Sequence, residues 1–370
     1  MIYLDNAATT YPKPRGVRLA VQNAIMTYGA NPGRGGYPMA MQTTEQIFLC
    51  RKKLTQMFHC ASEEEVVFCL NCTQAINMVL KGCLKEGDHV VVSCLEHNAV
   101  MRPLEKLRRK GVFVTVAKVF PGDDDKTLES FERCMKGNTR LVICTHVSNV
   151  WGLKLPVQRI AELSHRKGAE FLTDGAQSGG VFPLDLQKDG IDYLCLAGHK
   201  GFYGPMGVGI LLTSHGKELD TVLEGGTGSL SASLDQPDLM PDRLESGTPN
   251  TWGILGLSAG IDFVRTTTME KIRAHEMKLT HRLYRGLQGR KDVRLYTGEP
   301  EAPVLSFSMA KESAEETAAR LAKKGICVRA GLHCAPMAHK FFGTLENGTV
   351  RVSPSAFSTE KEIEALLTNL

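Results

Sequence analysis

The feature that most constrains this chain is a lysine set just beyond an apolar run. Residues 193–196 are Tyr, Leu, Cys and Leu, and the run stops at Gly198, His199 and Lys200, with Gly201, Gly204, Pro205 and Gly207 close behind. The run reads as a buried strand, and the glycines keep the following backbone open enough to approach a bulky ligand. A lysine delivered from a strand end into such a pocket is desolvated. Its pKa falls, and the amine becomes a nucleophile able to bond to a carbonyl carbon. A lone Lys-Gly pair is ordinarily a surface turn, so the reading depends on what else the chain supplies.

Apolar strand-like runs recur at 66–70, 90–93, 112–116, 141–144, 170–173, 193–196 and 208–212, with helix-like segments such as 128–136 and 157–167 between them. This alternation predicts an α/β domain with a mostly parallel sheet covered on both faces. Ile47, Cys50, Leu54 and Met57 share one face of an earlier helix and read as core. Residues 2–4 read as a short strand, 5–10 as a small polar loop facing a site, and the glycine-rich 31–37 as a loop wrapped over something. The acidic turn 122–125 reads as a solvated loop, and 219–250 as a long excursion without periodicity. From Trp252 the pattern is helical to about Leu287. A capping box at Ser313 to Glu316 then opens a helix, followed by strands at 326–329 and 349–353 and a last helix from Thr359. With 370 residues, the chain is expected to divide into a large α/β domain at 15–255 and a smaller α+β domain at 256–370 joined by residues 1–14.

The net charge of +4 is too small to imply nucleic acid or an anionic membrane as partner. The eleven cysteines are scattered and mostly sit in apolar runs, which fits buried reduced thiols. Residues 1–13 lack a signal-peptide pattern, and no apolar run approaches the ~20 residues of a membrane span. A cytoplasmic location is expected.

The chemistry gathers where strands end. Asp174 follows the run 170–173, and a carboxylate there could keep a pyridine nitrogen protonated. Asn71, Cys72 and Thr73 turn a strand into a helix N-terminus, whose amides and dipole favour a phosphate. Cys69 and Cys72 form a CxxC with no second pair, so no metal site is expected. His97 and Asn149 each follow a strand as well. In open α/β sheets the ligand lies at the carboxyl ends of the strands, where all these residues fall. Lysine, carboxylate, anion site and ring-covering histidine together match the demands of pyridoxal 5'-phosphate. Toward the end of the chain, Arg351 offers a guanidinium suited to a substrate carboxylate. Cys334 lies in a loop with Arg329 and His333 nearby and is the cysteine expected to react.

Ordered motifs along nearly the whole chain then resemble one family: YLDNAATT at 3–10, EHNAV at 96–100, HVSNVWG at 146–152, TDGAQS at 173–178, GHKGFYGPMGVG at 198–209, ESGTPNT at 245–251 and RAGLHCAP at 329–336. The chain resembles the class V aminotransferases of PLP fold type I, and most closely the SUF-type (group II) cysteine desulfurases and selenocysteine lyase-like proteins. The resemblance implies a seven-stranded-type sheet and conversion of L-cysteine to L-alanine with sulfur held on a cysteine. Lys200 would carry the cofactor covalently, Asp174 pair with the pyridine nitrogen, and Gln177 bond the ring oxygen. His97 would stack on the ring, while Cys72 (through its backbone), Thr73 and His199 hold the phosphate. Thr248 would reach a neighbouring subunit's phosphate, which implies a homodimer. Asn149 and Arg351 would bind the substrate carboxylate, Arg329 steady the loop or substrate, and Cys334 attack sulfur.

Ala197 and Cys72 depart from the hydroxyl residues usual at their positions, which weakens the expected phosphate contacts. The 225–245 excursion is shorter than in typical group II enzymes and bears on docking of a sulfur-acceptor protein, for instance in iron–sulfur cluster assembly. A selenocysteine lyase acting on L-selenocysteine, or another β-elimination enzyme, would need the same cofactor residues. A non-catalytic PLP-fold protein would have no use for Lys200, Arg351 and Cys334 together.

Overall fold

The computed structural model describes residues 1–33 and 35–370. Its strands are β1 (Ile2–Tyr3), β2 (Val66–Cys69), β3 (His89–Ser93), β4 (Phe113–Ala117), β5 (Thr139–Thr145), β6 (Glu170–Asp174), β7 (Tyr193–Ala197), β8 (Gly209–Leu212), β9 (Val293–Leu295), β10 (Leu305–Met309), β11 (Ile326–Cys327), β12 (Arg329–Gly331) and β13 (Thr349–Val352). The helices are α1 (Arg15–Thr27), α2 (Pro38–Phe58), α3 (Cys72–Cys83), α4 (Asn98–Arg108), α5 (Asp124–Cys134), α6 (Val157–Arg166), α7 (Thr251–Thr267), α8 (Met269–Leu287), α9 (Ala314–Lys323), α10 (Pro336–Phe341) and α11 (Glu360–Thr368).

A seven-stranded sheet runs in the order β2-β8-β7-β6-β5-β3-β4. The pairs from β7 across to β4 are parallel, and β8 runs against both of its neighbours. Both faces are buried, as period-two alternation shows. Val91, Val142, Cys144 and Leu194 pack into one core, while Val90, Val92, Leu141 and Ile143 pack into the other. Apolar runs without polar alternation are what such a two-sided strand requires. The carboxyl ends of β2, β3, β5, β6 and β7 therefore share one edge of the sheet. A four-stranded sheet, β12-β13-β10-β9, is antiparallel throughout. It shares a core with α8, α9 and α11 through Leu279, Leu283, Phe307, Leu321, Val352 and Ile363, and Leu4 joins that core from the start of the chain. No helix among the described residues is long and apolar enough to cross a membrane.

Local readings differ from the structure in four places. The acidic turn at 122–125 opens α5: Asp123 Oδ1 accepts from Lys126 N at 3.0 Å, and Asp124 and Asp125 occupy the first turn, where the helix dipole favours them. The helical stretch after Trp252 breaks at Thr268, whose φ of 71° ends α7 and opens α8. The strand expected at 326–329 divides, because β11 pairs with β1 while β12 pairs with β13. The glycines around Lys200 serve backbone packing. A Cβ on Gly201 would lie 2.3 Å from the Gly179 carbonyl oxygen, and one on Gly209 would lie 2.2 Å from the Asn71 carbonyl carbon. The reading of 31–37 falls partly outside the described residues.

Candidate active site

At the shared strand edge lies a cavity of about 180 Å³. Cys72, Thr73, His97, Asn149, Asp174, Gln177, His199 and Lys200 all line it. The topology explains the convergence, since each of these residues directly follows, or closes, a strand of the same orientation. Lys200 comes from the end of β7 and is partly buried. Burial lowers its pKa, against the opposing pull of Asp174 and Cys72. Its backbone is clamped from the start of the chain. The His199 carbonyl accepts from Thr10 N at 3.2 Å and Lys13 Nζ at 2.8 Å, and the Lys200 carbonyl accepts from Thr10 Oγ1 at 3.1 Å.

Asp174 is the last residue of β6 and 5% exposed. Its Oδ1 accepts from Ala176 N at 2.9 Å and from the Cys72 thiol at 3.6 Å. Burial, reinforced by the Asp174 charge, pushes the Cys72 thiol well above its ordinary range, so it stays a donor. The Cys72 side chain thus serves the carboxylate and points away from any phosphate role. His97 caps α4: its Nδ1 accepts from Ala99 N at 3.0 Å, which puts the proton of the neutral ring on Nε2. Burial holds its pKa down to about 4, so the ring is neutral at pH 7. Gln177 Nε2 donates to the Ala7 carbonyl at 3.0 Å, which leaves one further N–H on that amide.

The anion-binding end is built from α3 and His199. Asn71 caps α3, its Oδ1 accepting from Gln74 N at 2.9 Å, and the helix's first amides, at Cys72 and Thr73, have no intrahelical acceptor. His199 Nδ1 is a buried nitrogen without a partner.

A second group adjoins the first through Asn149. The Asn149 side-chain Nδ2 donates to the His333 carbonyl at 2.7 Å, and the Asn149 backbone carbonyl accepts from Arg351 Nη1 at 2.9 Å. Arg351 also pairs with Asp5 at 2.7 Å. Cys334 alone among the described cysteines is exposed. Its sulfur accepts from Arg329 Nη2 at 3.7 Å, and its carbonyl accepts from Asn98 N, at the start of α4, at 2.7 Å. His333 and Cys334 both adopt positive φ, 48° and 58°. His333 does not serve the thiol. Its buried ring is held well below its ordinary pKa by burial and bonds Thr349 instead. The cavity near Lys200 does not include Thr248, which is exposed and lines a separate cavity of about 460 Å³.

The sequence reading missed Asp5, Lys13 and Glu96. Lys13 carried no signal beyond lying near the polar loop at 5–10. Glu96 is fully buried; its Oε1 accepts from Ser93 Oγ and from Thr145 N at 2.8 Å, which ties the ends of β3 and β5 together. A charged residue directly after an apolar strand was the available signal. Ligand atoms of Glu170, His215 and Glu218 lie within 4.8 Å of one another. Hydrogen bonding to Asp192 raises His215 to about 9.

Comparison with known proteins places the geometry. The aminotransferase class-V family model matches residues 2–366. A protein of Methanothermobacter thermautotrophicus named as a probable cysteine desulfurase is 36% identical, over 99% of this chain and 92% of its own length. The solved apo cysteine desulfurase of Thermococcus onnurineus superposes with a TM-score of 0.92 at 32% identity, covering 99% of this chain and 93% of that one. The cysteine desulfurase CsdA of Escherichia coli, in an S-sulfonic acid form, superposes at 0.89 with 27% identity and the same coverage. With sequence, backbone and strand-edge site in agreement from end to end, this chain belongs to the class-V aminotransferase family.

Proposed function

We propose that the protein is a pyridoxal 5'-phosphate-dependent cysteine desulfurase. The carrying observation is one arrangement. A desolvated lysine lies beside a fixed carboxylate, and an exposed cysteine with a guanidinium on its sulfur is tied to the helix that presents His97. The names of the full-length relatives point the same way. The residues fit the cofactor: an amine at Lys200, an acceptor at Asp174, the α3 amides with Thr73, and an unpartnered buried nitrogen on His199.

When bound, the cofactor supplies an electron sink for the pair left as the substrate's Cα proton departs. Lys200 Nζ would hold it covalently, and the same amine would carry that proton. Asp174, fixed by Ala176 N and by the Cys72 thiol on its Oδ1, would keep the pyridine nitrogen charged. His97, with its proton on Nε2, would cover the ring. Gln177 offers its remaining N–H to the ring oxygen. Arg351 and Asn149 orient the substrate carboxylate, and Arg329 steadies Cys334. In the net reaction the Cβ–S bond of L-cysteine breaks, Cβ takes a proton, and an S–S bond forms on Cys334. The products are L-alanine and a persulfide that a thiol acceptor can remove. Thr248 is assigned to a neighbouring subunit's phosphate in a homodimer, and a cytoplasmic setting suits the free thiols. L-Selenocysteine would use the same residues as a second substrate.

The test is alanine production from L-cysteine under a reductant by protein reconstituted with the cofactor. Lys200→Ala is expected to abolish both the bound chromophore and alanine. Undiminished alanine from that variant overturns the proposal.

A further inference from the structure

We propose that Asp5 is a placeholder for the substrate's carboxylate, holding Arg351 until the substrate displaces it and so setting how tightly carboxylate substrates bind. The inference rests on the reading of Arg351 as the carboxylate-binding residue. Arg351 stands within β13 with its side chain 1% exposed. Nη1 donates to the Asn149 carbonyl at 2.9 Å and Nη2 to Asp5 Oδ1 at 2.7 Å, while the buried Nε has no partner. A guanidinium presents its N–H groups in a plane, and a carboxylate takes two of them side by side. The buried Nε without a partner marks the Nε–Nη2 edge as the one where a bidentate carboxylate adds a bond. Asp5 occupies Nη2 and leaves Nε bare.

A substrate carboxylate on that edge satisfies both nitrogens, one more bond than Asp5 makes. It cannot share Nη2 with Asp5 without setting two negative charges side by side. Asp5 is built to let go. Its side chain is 20% exposed, whereas the neighbouring backbone is pinned by Asn6 N to the Ser353 carbonyl at 3.2 Å and by Asn6 Nδ2 to the same oxygen at 2.9 Å. The carboxyl can therefore turn to solvent while the segment that clamps His199 stays fixed.

The experiment uses the loaded enzyme and three probes. L-Cysteine is the substrate, cysteamine lacks the carboxylate, and 3-mercaptopropionate has the carboxylate without the amine and is followed by calorimetric binding. In Asp5→Asn, the KM for L-cysteine and the Kd for 3-mercaptopropionate are expected to fall on the order of tenfold, the low end for a hydrogen bond to a charged group, with no change for cysteamine. Asp5→Ser is expected to move the same way. Carboxylate affinity that is unchanged or weaker in either variant overturns the placeholder. Arg351→Gln tests the underlying reading separately, because it should weaken 3-mercaptopropionate and spare cysteamine. Equal weakening of both removes Arg351 from carboxylate binding, whatever the Asp5 variants do.

Discussion

Lys200 and Cys334 are read from opposite kinds of surroundings. One lies partly buried at the end of an apolar strand, and the other is exposed in a loop held in left-handed conformations. Cys334→Ala is expected to cut sulfur transfer from L-cysteine by orders of magnitude while leaving the cofactor's absorbance in place. Selenide released from L-selenocysteine at an undiminished rate by that variant would assign selenocysteine lyase activity to the site. Asp174→Asn is expected to lower kcat strongly with little change in KM, because a neutral amide no longer holds the ring nitrogen charged; steady-state kinetics with L-cysteine measures this. Lys200, Asp174, Thr73, His97 and Asn149 were legible because each follows a strand of one orientation, and sequence order alone then brings them to one edge. The aim of a side chain was not legible. Nothing local says that Cys72 turns to Asp174, that His333 turns to Thr349, or that Asp5 pairs with a residue at the far end of the chain.

Elements were legible where period and caps agreed. The capping box at Ser313 opens α9, and the Thr359 cap opens α11. The division between α7 and α8 was not, because Thr268 holds a positive φ that neither threonine nor its neighbours announce. Thr268→Gly removes that strain and gives up a cap bond of 3.3 Å to Lys271 N, so a net gain of about 1 kcal/mol in denaturant unfolding is expected. Glu276, in α8, is fully enclosed and accepts from Tyr203 Oη at 2.9 Å; that hydroxyl in turn accepts from Ala356 N at 2.9 Å. Burial raises the Glu276 pKa from 4.5 to about 8. Below pH 4.5 the proton is bound in both folded and unfolded chains, whereas up to pH 8 only the folded chain keeps it. Stability therefore falls as pH rises through that window, by roughly 1.4 kcal/mol per pH unit from this group. Glu276→Gln is expected to gain in Tm relative to the parent on going from pH 5 to pH 8, and a constant difference in thermal melts would contradict this.

At the scale of the whole molecule, the parallel sheet and its strand-edge site follow from the alternation of apolar runs and helices. The tie between the two ends of the chain does not. β1 reaches β11 and Asp5 reaches Arg351, and such long-range pairs leave no periodic trace. The proposed homodimer would cover Thr248 and the exposed apolar Phe48, Leu70 and Leu223, which line one cavity of about 460 Å³. Sedimentation is expected to give twice the chain's mass, and Phe48→Glu to shift it toward a single chain with weaker cofactor retention. The central claim is that a cofactor held by Lys200 delivers substrate sulfur to Cys334. Tandem mass spectrometry of the protein after a brief exposure to L-cysteine tests it most directly. The account predicts one added sulfur on the peptide containing Cys334 and none in Lys200→Ala. Alanine accumulating while Cys334 stays unmodified, or sulfur reaching Cys334 without Lys200, would contradict it.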